Sequence, residues 1–275
     1  MKITEATKKL ADFVTSHPNL LVITGAGCSA ASGIPTYRNE AGAWQHSEPI
    51  QHQAFVEDPV ARQRYWTRSL AGWPTVCSAR PNEAHKALRA LEEQSICRLL
   101  VTQNVDRLHQ RAGHRKVIDL HGRLDQVICM GCRHVYQRQQ IQERIQQLNP
   151  AFDSSLLRLL PDGDSEPACH ADEPLRVPDC ERCNGLLKPN VVFYGGTVDR
   201  DLVQSIYAVL DDMDGVLVVG SSLMVFSSFR FCKRAQKSGV PIVAINKGIT
   251  RADEMLSFKV HENCQDCLQQ LVHNL

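Results

Sequence analysis

Short apolar runs that each end in glycine, amide or hydroxyl residues punctuate this chain. Leu20-Leu21-Val22-Ile23, Leu99-Leu100-Val101, Val117-Ile118-Asp119-Leu120, Gly215 to Val219 and Val240 to Ile245 have the length and β-branching of buried strands, and Phe258-Lys259-Val260 is a shorter sixth. Helical periods separate them. Ile3, Ala6, Leu10, Phe13 and Val14 share one face near the N-terminus, and Pro81 to Glu93 is a plain amphipathic helix. Arg230 to Ser238 and Cys264 to Leu271 continue the alternation. Strands alternating with helices predict an α/β fold with a parallel, doubly wound sheet. One stretch breaks the rhythm. Asn39 to Pro74 carries Phe55, Tyr65 and Trp66 among Arg62, Arg64 and Arg68, which predicts a helical insertion, either a solvated cap or a lid facing substrate.

The chemistry gathers at the strand ends. After Ile23, Thr24 leads into Gly25-Ala26-Gly27-Cys28-Ser29-Ala30, a G-x-G-x-x-A pattern at a strand-to-helix turn. Glycines there let backbone amides approach a pyrophosphate, and a helix N-terminus adds positive potential where the anion lies. A tight turn with no ligand uses the same residues. A hydride-transferring dehydrogenase also needs a second strand ending in an acid about 20 residues further on. Glu40 and Glu48 fall in that region with no strand before them, and Gly33-Ile34-Pro35-Thr36-Tyr37-Arg38 comes instead. A dinucleotide fits, but the dehydrogenase layout is missing. Gln103, Asn104, Val105 and Asp106 follow the second strand, where open α/β sheets bind ligands. His121-Gly122 ends the third, as a general base near neutral pH or as a satisfied structural histidine at a turn. Gly220-Ser221-Ser222 and Asn246 end later strands with groups suited to ribose or phosphate. Lys188 to Gly196 is extended and apolar, an edge to which a peptide can add as a strand.

At 275 residues the chain has room for one large core and a smaller module. A net charge of +1 gives no electrostatic case for nucleic acid or an anionic membrane, and no apolar run reaches the ~18–20 residues of a transmembrane helix. Glu5 and Asp12 in an N-terminus without arginine argue against a leader peptide, so a cytoplasmic location is expected. Eleven cysteines, an odd and scattered set, favour buried thiols and a metal site over disulfides. Cys129 and Cys132 are answered by Cys180 and Cys183 across a long spacer. Two such pairs form the closed tetrahedral set of a structural zinc, whereas a redox site needs only one. Tyr136 to Leu148 reads as a helix between the pairs, and 150–178 as Pro/Asp-rich loop. Residues 125–187 are therefore expected to form a small Cys₄ zinc domain inserted into a larger one made of 1–124 and 188–275.

These motifs resemble the sirtuins, NAD-dependent protein-lysine deacylases, from Leu20 to about Leu271. Gly25-Ala26-Gly27 with Ser29, Gly33-Ile34-Pro35 with Arg38, Thr102 to Asp106, His121-Gly122, both cysteine pairs, Gly220-Ser221-Ser222 and Asn246 carry the likeness. RQRYW at Arg62–Trp66, PDGD at Pro161–Asp164, LKPNVVFYGGTV at Leu187–Val198 and TRAD at Thr250–Asp253 are similar to the class II branch, which includes the mitochondrial sirtuin four.

The resemblance implies a Rossmann-like NAD-binding domain with NAD as co-substrate and zinc as a structural ion. It implies that Gly25, Ala26, Gly27, Ser29, Gly33, Ile34, Pro35, Tyr37, Arg38 and Gln45 bind the pyrophosphate and ribose region. Gln103, Asn104, Val105 and Asp106 would hold the nicotinamide end, and Gly220, Ser221, Ser222, Asn246, Lys247, Gly248 and Cys264 the adenosine half. Val191, Val192, Phe193, Tyr194 and Gly195 would pair with an acyl-lysine peptide or protein. His121 would be the general base on a ribose hydroxyl, with Asn104 and Asp106 as further catalytic residues. The products implied are free lysine, nicotinamide and O-acyl-ADP-ribose. Mono-ADP-ribosyl transfer to protein and a non-catalytic NAD-binding sensor are the alternatives. The chain departs from the family where Thr36 and Gly196 replace acids and where Cys28 replaces Ile or Val beside the NAD loop. Trp66 stands at the place read as the Tyr of the class III branch and Ser69, with Arg68 one residue off, at the place read as its Arg, so removal of acidic acyl chains is expected to be inefficient. Acetyl, branched acidic and lipoyl-like acyl groups all fit the resemblance.

Overall fold

The computed structural model describes residues 4–45, 49–152, 157–159, 165–167 and 175–275. In chain order, α1 (Glu5–Ser16) leads into β1 (Leu20–Thr24), a short α2 (Ala26–Ser29), α3 (His52–Glu57), α4 (Pro59–Ser78) and α5 (Glu83–Glu93). There follow β2 (Cys97–Thr102), α6 (Leu108–Arg111), β3 (Val117–Asp119), β4 (Gly122–Cys129), β5 (Val135–Gln137) and α7 (Arg138–Leu148). Then come β6 (Leu157–Leu159), β7 (Ser165–Pro167), β8 (Leu187–Val191), α8 (Arg200–Leu210) and β9 (Gly215–Val219). The chain closes with α9 (Phe226–Lys237), β10 (Ile242–Ile245), β11 (Phe258–Val260) and α10 (Cys264–His273).

Six strands form one parallel sheet in the order β11-β10-β9-β1-β2-β3. Numbered within that sheet alone the order is 3-2-1-4-5-6, the doubly wound arrangement, and its direction reverses between β1 and β9. Those two strands run level, with Leu20 opposite Gly215 and Thr24 opposite Val219. Every residue of both is buried, which is what their unbroken apolar runs require. Each buried Val, Leu or Ile side chain contributes roughly 1.5–3 kcal/mol. One face of the sheet packs on α1, α5 and α10 through Leu10, Val14, Leu88, Leu91, Leu268 and Leu271. The other packs on α8 and α9 through Ile206, Leu210, Phe231, Cys232 and Ala235.

A second, antiparallel sheet, β5-β4-β8, carries the cysteine pairs. Its strand β4 starts at Gly122 and β8 runs on to Val191, so this sheet overlaps both ends of the expected insert. Gly122 has φ +81, and a Cβ there would lie 2.9 Å from Val191 Cα, so only glycine lets the two strands approach where the sheets meet. The helical insertion is not a solvated cap, and Tyr65 on it lines a cleft. Phe55, Tyr65, Trp66 and Leu70 of α3 and α4 share a core with Val127, Ile141 and Ile145 of the small module. Arg138 is buried there between Trp66 and Trp73, its guanidinium 5.4 and 5.3 Å from the rings, and donates to the Ser69 carbonyl and hydroxyl.

Local differences from the expected elements have local causes. Tyr136 belongs to β5, since its ring packs inward and its hydroxyl reaches a cysteine, and α7 begins two residues later. Helix α9 begins at Phe226, four residues before Arg230, because Ser227 and Ser228 bond to groups at the strand ends instead of breaking it. Within 150–178, read as loop, β6 and β7 pair antiparallel. Ile3, Glu48 and the PDGD motif lie outside the described residues.

Candidate active site

The reversal of strand order leaves a cleft above the carboxyl ends of β1 and β9, with a volume of about 840 Å³. Backbone, not side chain, forms its floor. Gly27 N–H donates to Gly220 O at 2.8 Å, and a Cβ on Gly27 would meet that oxygen at 2.8 Å. Gly220, with φ +59, would place a Cβ 2.6 Å from the Gly27 carbonyl carbon. The two glycine turns therefore touch, and neither tolerates a side chain.

From this floor a hydrogen-bonded network rises along the cleft. The Gln103 side chain donates to Ser221 Oγ at 2.6 Å and accepts from Ser228 Oγ at 2.9 Å, which fixes its orientation. The Gln103 backbone carbonyl accepts from His121 Nδ1 at 3.1 Å. A carbonyl cannot donate, so the hydrogen of this imidazole is held on Nδ1 and the lone pair is on Nε2. That lone pair accepts the Ser227 hydroxyl at 2.7 Å. Burial, partly opposed by the Gln103 carbonyl, pushes the His121 pKa down to about 4, so the ring is neutral at pH 7.

Beside it, the Asn104 amide donates to Gly25 O at 3.0 Å and to Ser29 Oγ at 2.9 Å. Both hydrogens are thereby committed, and the Asn104 carbonyl oxygen is left to accept from whatever enters. Ser29 in turn donates to Asp106 Oδ2 at 2.7 Å, while Asp106 Oδ1 accepts the Leu108 N–H at 2.8 Å. Burial raises the Asp106 pKa, and those two donors hold it partly back. Asp106 is thus walled off from the cleft and acts on it through Ser29 and Asn104.

Of the residues expected at the nucleotide, Gly25, Ala26, Gly27, Tyr37, Arg38, Gln45, Gln103, Asn104, Val105 and His121 line the cleft. So do Gly220, Ser221, Ser222, Asn246, Lys247, Gly248 and Cys264. Ser29, Gly33, Ile34, Pro35 and Asp106 do not line it; Ser29, Ile34 and Asp106 are buried, while Gly33 is exposed. Val191, Val192, Phe193, Tyr194 and Gly195 line the other end beside Tyr65. Val192 N–H donates to His121 O at 2.8 Å, which ties this strand to the histidine. Arg38 lies over the Trp44 ring at 3.7 Å and donates to Gly42 O, while Thr36, in place of an acid, accepts from Gln45 at 2.8 Å. Of the aromatic residues Phe55, Tyr65 and Trp66 of the insertion, Tyr65 lines the cleft. Trp66 is fully buried and Ser69 is bonded by Arg138, so the reading that put those two at the acyl end is corrected by one residue. Ser227 and Ser228 escape a reading that starts α9 after them. The run of hydroxyls that follows Gly220 is the available signal.

Cys129, Cys132, Cys180 and Cys183 bring their sulfurs within 4.8 Å of one another, with Cys129 and Cys183 at 3.4 Å and Cys132 and Cys180 at 3.7 Å. Four thiolates around one zinc stand about 3.8 Å apart. Gly185 makes room, since a Cβ there would lie 3.0 Å from Cys129 Sγ. This donor set fits a closed tetrahedral zinc.

Comparison with known proteins points the same way. Residues 25–227 match the model of the Sir2 family. The chain is similar to "NAD-dependent protein deacetylase 2" of Bradyrhizobium diazoefficiens, 49% identical over 268 residues, covering 97% of this chain and 98% of that one. It is 42% identical over 267 residues to "NAD-dependent protein deacylase Sirt4" of Drosophila melanogaster, covering 96% and 86%. Among solved structures, one described as "Sir2-p53 peptide-NAD+" superposes with a TM-score of 0.78 at 27% identity, covering 100% of this chain and 98% of that one.

Proposed function

The chain belongs to the Sir2 family, and from that premise we propose that it is an NAD-dependent protein-lysine deacylase, releasing nicotinamide and O-acyl-ADP-ribose from NAD and an acyl-lysine peptide. In this reading residues 1–124 and 188–275 carry the nucleotide, and 125–187 carry a zinc held by Cys129, Cys132, Cys180 and Cys183. The observation that carries the proposal is the histidine at the meeting point of two half-clefts. His121 presents a lone pair on Nε2 because the Gln103 carbonyl holds its hydrogen on Nδ1. On one side lie the glycine turns suited to a pyrophosphate, and on the other the segment Val191 to Gly195, which continues from β8.

The residues divide the work. Asn104 orients an incoming hydroxyl or water through its free carbonyl, since its amide hydrogens are committed to Gly25 and Ser29. Ser29 and Asp106 hold Asn104 in that pose. Ser227 yields Nε2 of His121 to a ribose hydroxyl and the imidazole takes that proton, general-base help worth about 10²–10⁴-fold. A pyrophosphate in the cleft opposes the burial that lowers the His121 pKa, because a nearby anion favours the imidazolium. The zinc, with four thiolates and no open position, contributes to folding and not to the reaction.

Incubating the protein with NAD and an acetylated peptide tests the reading. Nicotinamide release with matching loss of acyl groups from the peptide supports it. Label transferred from NAD to protein would make the chain a mono-ADP-ribosyltransferase, and NAD binding with no nicotinamide release would make it a sensor.

A further inference from the structure

Behind the glycine turn, on the side away from the cleft, lies a second group of metal-ligating side chains. Cys28 from the turn, His85 from α5 and His109 from α6 bring one donor atom each within 4.8 Å of one another. All three are buried, Cys28 and His109 at 1% exposure and His85 at none. None of them lines the cleft. Their hydrogen bonding is incomplete. Thr24 donates to Thr102, so His109 Nε2–H donates to Thr24 Oγ1 at 2.9 Å and the Nδ1 lone pair has no partner. Leaving a buried acceptor unmet costs about 1–3 kcal/mol. His85 Nδ1 accepts from the Asn82 N–H at a long 3.3 Å, and its Nε2 faces Ser29 Oγ at 3.5 Å. A further imidazole, His114, stands edge-on to His109 with a centroid distance of 5.3 Å and reaches the Glu92 carboxylate at 3.8 Å. The other nitrogen of His109 is held by Thr24 Oγ1, an outer partner that fixes the orientation of the ring.

We propose that Cys28, His85 and His109 form a second metal site, selective for a thiophilic ion such as zinc, whose occupation opposes NAD binding. One thiolate and two imidazoles suit zinc and exclude the oxygen-seeking calcium and magnesium. Donors around zinc stand about 3.3–3.8 Å apart, so donors at the 4.8 Å limit close in by about 1–1.5 Å. Protons balance simply. The Cys28 thiol releases one proton to solvent, His109 binds through its bare Nδ1, and His85 shifts its hydrogen from Nε2 to Nδ1, losing the long bond from Asn82. Three protein donors leave one position for water.

The site is coupled to the nucleotide through the chain itself. Cys28 is flanked by Gly27, which floors the cleft, and Ser29, which holds Asn104 and Asp106. Drawing Cys28 toward the histidines therefore displaces both, and by reciprocity NAD weakens the metal. The antagonism rests on the NAD-binding reading, whereas the metal count does not.

The test equilibrates the protein, carrying its Cys₄ zinc, with a ladder of buffered free zinc in the absence of NAD and peptide, and counts zinc per chain. Wild type is expected to rise from one zinc to two, while Cys28→Val, which installs a residue usual in the family, stays at one. In parallel, zinc is expected to raise the NAD KM of wild type at least tenfold, reversibly with chelator, and to leave Cys28→Val unchanged. Thermal unfolding checks that Cys28→Val is folded, and Cys28→Ala replaces it if not. A wild-type count that stays at one, or a second zinc that persists without Cys28, overturns the site. Two zincs with an unchanged NAD KM overturn the antagonism alone.

Discussion

Replacing Gly220 by alanine tests whether the cleft floor is as tight as its geometry states. Two costs add. Gly220 has φ +59, a conformation that costs an L side chain roughly 1–2 kcal/mol. The new methyl would also lie 2.6 Å from the Gly27 carbonyl carbon and 3.0 Å from its Cα, and overlap the Cys28 nitrogen. Backbone cannot swing aside as a flexible side chain does, so this overlap adds about 1–3 kcal/mol. The sum, about 2–5 kcal/mol, corresponds to a fall in Tm of about 4–20 °C for a chain of this size. Relief comes only by pushing the β1–α2 turn away from β9, which breaks the 2.8 Å bond from Gly27 N–H to Gly220 O and moves the residues of that turn that line the cleft. The NAD KM should therefore rise by tenfold or more, equal to about 1.4 kcal/mol. Gly239 is the matched control. Its φ is +71 and no atom lies within 4 Å of where a Cβ would stand, so Gly239→Ala should cost only the conformational part and leave the NAD KM alone. Scanning fluorimetry and initial rates over an NAD series read both quantities. Equal Tm and KM changes in the two variants would refute the contact argument.

Two further outcomes follow from the same structure. Cys180→Ser should lower the zinc content of the Cys₄ set and the folding yield together, measured by metal analysis and soluble expression; a zinc-free variant of full stability would contradict a structural role. Acid should destabilise the protein well before its carboxylates titrate. His85 and His121 are held near 4 in the folded state, by burial above all, and His109 is pushed down as well, while unfolded histidines titrate near 6.5. The unfolded chain thus binds more protons between pH 6.5 and 4, so stability falls as pH drops through that window, by roughly 3 kcal/mol for His121 alone at its lower end. Urea midpoints that stay flat from pH 7 to 4.5 would contradict this.

Much of the fold was legible because its signals were local. The runs Leu20–Ile23, Gly215–Val219 and Ile242–Ile245 are apolar without alternation, which only strands buried on both faces demand, and each ends in the residues that line the cleft. The paired cysteines carried their own spacing. What escaped was set by contacts distant in the chain. Whether Tyr65 or Trp66 faces the acyl end depends on Arg138, which bonds Ser69 from 69 residues away and stacks near the Trp66 ring, and no helical period in α4 decides it. The helical reading begins at Arg230, yet α9 takes in Ser227, whose hydroxyl is accepted by His121, 106 residues away. The grouping of Cys28 with His85 and His109 was invisible for the same reason, since it exists only once α5 and α6 dock behind the turn.

The central claim is that His121 serves as the base at the junction of the nucleotide and peptide clefts, and His121→Ala measures it most directly. Nicotinamide release and peptide deacylation are followed with saturating NAD, alongside thermal unfolding and NAD binding. The expected variant is folded, still binds NAD and loses deacylation by at least about 10²-fold. Deacylation at the wild-type rate by a folded His121→Ala would contradict the claim.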